Sequence, residues 1–164
     1  MRLSATSSRS RTTAFKYASL LLRVVREHKM GCWAIDSFGN DDAADWLAEL
    51  TEAKDLAPVR RAISALLSED GYLDAPFSTE ALAAIEVVAA ALGRPTISAQ
   101  NQPRLVTWIA SVKPVADPLL VSEAARAIDR ILGPDSELRE LWEDTDDFGQ
   151  WQANVRELRT ALES

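Results

Sequence analysis

Carboxylates and aromatic rings crowd together near residue 40. Asp36, Asp41, Asp42 and Asp45 fall within ten positions, among Trp33, Phe38 and Trp46. Asp41 and Asp45 stand four apart, which on a helix puts both side chains on one face. Two carboxylates so placed could hold a divalent cation or work as a general acid and base. A simpler reading competes. Asn40 is a good N-cap, and Asp41 and Asp42 then fall in a first helical turn, where unpaired amides and the helix dipole favour negative charge. Trp46 becomes a core residue instead of a substrate platform.

A second acidic group, Glu143, Asp144, Asp146 and Asp147 before Gly149, has the look of a calcium loop but fails its pattern. Phe148 occupies a liganding position, and Val155 stands where a bidentate glutamate is required. A solvated loop with a helix cap is expected. Cys32 is the only cysteine and His28 the only histidine. That excludes an intramolecular disulfide, CxxC chemistry and histidine-clustered zinc, and it suits a reducing compartment. Cys32 has no cationic neighbour in sequence and reads as a small apolar residue. With no phosphate loop, dinucleotide fingerprint or nucleophile elbow, no catalytic residue, metal ligand or cofactor is assigned.

Charge divides the chain. Residues 1–29 hold seven basic side chains against Glu27, a sum of +6, whereas residues 30–164 hold 11 basic and 24 acidic side chains, a sum of −13. So acidic a domain is a poor binder of phosphate backbones, so nucleic acid is excluded as a partner and a basic protein is expected. The first segment is rich in Ser, Thr and Arg, and its unbroken apolar run, Tyr17 to Leu22, is too short for a signal peptide or for the ~20 residues of a membrane span. A transit peptide and a basic amphipathic helix on a membrane surface match its composition. The favoured expectation is a misassigned start. The domain would begin at Met30, preceded by a basic extension over residues 1–29 that leaves His28 outside it.

What must position the acids is a set of helices, because no credible alternating strand follows Asn40. Ala43, Trp46, Leu47 and Leu50 form the first buried stripe. Asp55 opens a second helix with Pro58 in its first turn, and Ser78 is expected to cap a third that stops at Gly93. Residues 94–101 read as a loop. Pro103 starts a fourth helix and Asp117-Pro118 a fifth, a short sixth follows Asp135, and a last one from about Asp146 bears Phe148, Trp151, Val155, Leu158 and Leu162. The expected fold is all-α, a single domain of six to seven helices around one core.

Met30-Gly31-Cys32-Trp33, then Phe38, Asn40-Asp41-Asp42-Ala43 and Asp45-Trp46-Leu47, resembles the start of a mostly bacterial family, domain of unknown function 4259. A weaker likeness runs through Ala127 to Leu132 and Ser136 to Trp142 towards the final helix. The resemblance implies a domain spanning residues 30–164 and carries no activity; where family members usually show glycine, this chain has Ala34 and Asp36. The functional expectation is a cytoplasmic, non-enzymatic protein-interaction domain, of the immunity or antitoxin kind, with Trp33, Phe38, Asp41, Asp42, Asp45 and Trp46 as its binding residues. Two alternatives stand beside it: a carboxylate-based or metal-dependent hydrolase using the Asp36 to Asp45 cluster, and a structural domain of an assembly.

Overall fold

Helix ends are written into the chain by proline, glycine and short polar side chains, and the boundaries follow them. A computed structural model describes residues 35–164; the 1–29 extension, Cys32 and Trp33 lie outside the described residues. Eight helices follow in order: α1 (Asp41–Glu52), α2 (Ala57–Ser68), α3 (Ala75–Ala91), α4 (Ile97–Gln100), α5 (Pro103–Val112), α6 (Pro118–Ile131), α7 (Glu137–Glu143) and α8 (Phe148–Glu163). Among the described residues there is no strand, only an isolated parallel bridge between Leu73 and Ser136. The class is all-α, as expected. No helix among these residues is long and apolar enough to cross a membrane.

The architecture is organised around α3, which touches each of the other seven helices. Ala81 through Ala89 are buried without a break, Glu86 among them, so this stretch has no side turned to solvent; a helix segment that is apolar nearly all round belongs inside. Its many alanines let neighbours approach closely, while the larger side chains come from the amphipathic helices around it. From these, Leu50 of α1, Val59, Ile63 and Leu66 of α2, Leu120, Ile128 and Ile131 of α6, and Leu158 of α8 are almost completely buried. Each contributes about 1.5–3 kcal/mol on leaving water. Trp142 of α7 stacks on Trp151 of α8 with ring centroids 6.1 Å apart, seating the last two helices on each other.

Three boundaries differ from the sequence expectation, each for a physical reason. Ser78 does not cap α3. The helix starts one turn earlier at Ala75, whose amide donates to Glu137 Oε2 of α7 at 2.7 Å, a tertiary contact standing in for a local cap. Residues 94–101 are not all loop, because the Thr96 side chain accepts from the Ala99 amide at 3.3 Å and starts the single turn of α4. Asp55 precedes α2 without joining it: its Oδ1 accepts from the Ala57 amide, and the helix runs from Ala57. Gly93 ends α3 as expected, at φ +79°, with Arg94 N–H reaching back to the Ala89 carbonyl.

Candidate protein-interaction site

The expected site begins in the short segment before α1. Asp36 Oδ1 accepts from the Phe38 amide at 2.8 Å, and Asn154 of α8 donates from Nδ2 to the Ile35 carbonyl at 3.3 Å. This turn drives Phe38 inward, where it is 6% exposed. Asn40 then caps α1, its Oδ1 accepting from the Ala43 amide at 2.9 Å as its residue type predicts. Trp46, one turn on, is 7% exposed and belongs to the core.

The six residues therefore separate. Phe38 and Trp46 face inward, Trp33 lies outside the described residues, and Asp41, Asp42 and Asp45 stand exposed together on the outer side of α1. An aromatic anchor within an acidic rim is thus not formed by Phe38 or Trp46. Asp36 is tied to its own turn instead of to the other acids. Exposed carboxylates on successive helical turns do not enclose a reacting atom, as acid–base chemistry requires. Among the described residues, no group of three or more His, Cys, Asp or Glu side chains could hold a metal ion.

Charge at this face extends beyond α1. Glu80 of α3 is held above the ordinary glutamate range, first by partial burial and then by the nearby Asp42 and Glu49 carboxylates. Arg61 of α2 pairs with Glu49 at the edge of the group. On the other flank, α1 and α5 border a groove of about 560 Å³ lined by Ala48, Thr51 and Glu52 on one wall and Arg104, Thr107 and Trp108 on the other. Helical spacing puts Asp41, Asp45, Ala48 and Glu52 on one ridge, which is the crest of that wall. The groove is braced from beneath by Trp108, whose Nε1 donates to the Ala53 carbonyl at 2.8 Å.

The second acidic group straddles the junction of α7 and α8. Glu143 pairs with Arg139 at 2.9 Å, and Thr145 Oγ1 donates to the Trp142 carbonyl at 2.7 Å, closing the turn. One residue of consequence was missed by sequence reasoning. Glu86 lies in the middle of α3, 2% exposed, and its only signal is a single charge inside the apolar run from Ala81 to Ala91.

No curated protein and no solved structure matches the chain. The family model described as domain of unknown function (DUF4259) matches residues 31–154, most of the chain, and with the turn, cap and α1 face that carried the resemblance all inside that span, the chain belongs to this family.

Proposed function

We propose that this domain is a non-enzymatic interaction module that receives a basic protein partner along α1, in the manner of a cytoplasmic immunity or antitoxin protein. The observation that carries this reading is the division of α1 into two faces. Ala43, Trp46, Leu47 and Leu50 are consumed by the core, and Asp41, Asp42, Asp45 and Glu49 are left exposed on the outside. Like charges at i, i+4, such as Asp41 and Asp45, cost about 0.2–0.5 kcal/mol per pair, a cost that a docked cation relieves. The groove beside the ridge offers a concave surface where a partner's side chains could lodge. Complementary charge would speed the encounter and make it sensitive to salt.

The test is affinity capture from the native host, followed by binding of the captured partner at low and high salt. The same measurement is made on a variant carrying Asp41→Asn, Asp42→Asn and Asp45→Asn, and on Thr107→Trp, which fills the groove. Slower association at high salt and in the triple variant is expected. Binding indifferent to salt and to all four substitutions would sink recognition through α1.

A further inference from the structure

Glu86 joins three parts of the fold. Ser37 Oγ donates to its Oε1 at 2.7 Å from the segment before α1, and Thr96 Oγ1 donates to its Oε2 at 2.5 Å from the start of α4. Thr96 Oγ1 in turn accepts from the Ala99 amide, so the carboxylate, through one hydroxyl, also supports the cap of α4. Both segments thus meet at one side chain buried in the central helix.

The charged groups around Glu86 do not neutralise it. Asp36 from the Ile35–Gly39 segment and Glu157 from α8 both face it with like charge. Helix α4 has no ionisable residue. Arg94, following α3, turns to the Ala161 carbonyl at 3.3 Å; on α8, Arg159 pairs with Asp129 and Glu163, and Arg156 is exposed. A carboxylate placed this way is costly to ionise, and two hydroxyl donors offset only part of the desolvation.

We propose that Glu86 works as a pH-dependent latch, closing the Ile35–Gly39 segment and α4 onto α3 when protonated and loosening both when ionised. The direction follows from linkage. Burial, more than the repulsion of Glu157 and Asp36, holds the closed-state carboxyl above the ordinary glutamate range despite the Thr96 and Ser37 hydrogen bonds. When either segment lifts, water reaches Glu86 and its affinity for the proton falls to the ordinary value. The closed form binds the proton more tightly, so acid favours closure and ionisation favours opening. Opening therefore rises with pH between the ordinary value and the raised one, and is level above it. Since Ser37 lies just ahead of the Asn40 cap, the latch governs how firmly the start of α1 is held. It stands on the surroundings of Glu86 and does not depend on the partner reading above.

The experiment is amide hydrogen exchange by NMR on the full chain, corrected for intrinsic rates, between about pH 4 and pH 8, a range that spans an ordinary and a raised glutamate. Reporters are Gly39, Ala99 and Gln100, with Ile128 of the core as reference. Opening at the three reporters should rise with pH by up to about tenfold per unit within the window and then level off, while Ile128 stays flat. Glu86→Gln should remove the rise. Ser37→Ala, which deletes one donor to the ionised form, should carry the plateau to higher pH, and Asp36→Asn should leave the rise in place, separating Glu86 from its neighbour. Reporter exchange independent of pH in the unmodified chain, or a profile unchanged by Glu86→Gln, overturns the latch.

Discussion

Arg130 of α6 donates from Nη1 to the Leu66 carbonyl at 2.8 Å, closing the C-terminal end of α2 from a different helix. The same nitrogen reaches the Glu69 carbonyl at 2.7 Å, and Nη2 reaches that of Gly71 at 3.2 Å. The last carbonyls of a helix have no partner within it; that of Leu66 accepts from the Glu69 amide just past the helix end at 3.3 Å and from this guanidinium as well. Arg130→Met should cost about 1.5–3 kcal/mol, because hydrogen bonds from a charged donor are lost. Arg130→Lys should recover less than half, since one ammonium nitrogen on a flexible stem lacks the rigid planar fork whose two nitrogens span the three carbonyls. Urea denaturation of the three proteins checks this; a loss below about 0.5 kcal/mol for Arg130→Met would show that water replaces the arginine freely.

Asn40 and Trp46 support α1 in different ways and should fail by different amounts. Asn40→Ala removes one capping acceptor and should cost about 1 kcal/mol, whereas Trp46→Ala empties a core position and should cost about 3–5 kcal/mol. Thermal unfolding monitored by far-ultraviolet circular dichroism separates them. Equal losses would contradict the interior placement of Trp46.

Thr79 is 2% exposed on α3, and its Oγ1 has no hydrogen-bond partner among the described residues. A buried hydroxyl without a partner is a burden, so Thr79→Val, close in shape, should leave stability unchanged or raise it by up to about 1 kcal/mol. Chemical denaturation provides the measurement. A clear loss would mean that the hydroxyl is satisfied, with water as the obvious donor.

Asp117 caps α6, its Oδ1 accepting from the Leu120 amide at 2.9 Å while Oδ2 meets Arg60 of α2. The Leu120 hydrogen bond first, and Arg60 after it, hold this carboxyl below the ordinary aspartate range. The folded state thus favours the ionised form. Its contribution is complete above the unfolded value and fades as the pH falls through the folded one. Asp117→Asn, which can still cap, should therefore show a shallower fall of melting temperature than the parent between about pH 5 and pH 2. Parallel slopes would show that Asp117 has no preferential pairing in the folded state.

The sequence by itself determined the class and most helix positions, because the forces that set them act within one turn. Asn40 capping α1, Asp117 ahead of Pro118 at α6 and Gly93 ending α3 each answer backbone groups no more than a few residues away. The stripe of Ala43, Trp46, Leu47 and Leu50 likewise set the inner face of α1 and, by elimination, the outward position of Asp41, Asp42 and Asp45. Tertiary structure decided whatever depends on which faces meet. The start of α3 moved to Ala75 because Glu137, 62 residues away, receives its amide. Phe38 went to the interior because Asp36 turns the chain beneath it and Asn154 of α8 holds Ile35 in place. Glu86 was one charge in an apolar run until folding brought Ser37 and Thr96 to its two oxygens from separations of 49 and 10 residues. Periodicity can say that a position is buried, but the hydrogen-bond partners of a buried carboxylate come from elements whose meeting no local pattern encodes.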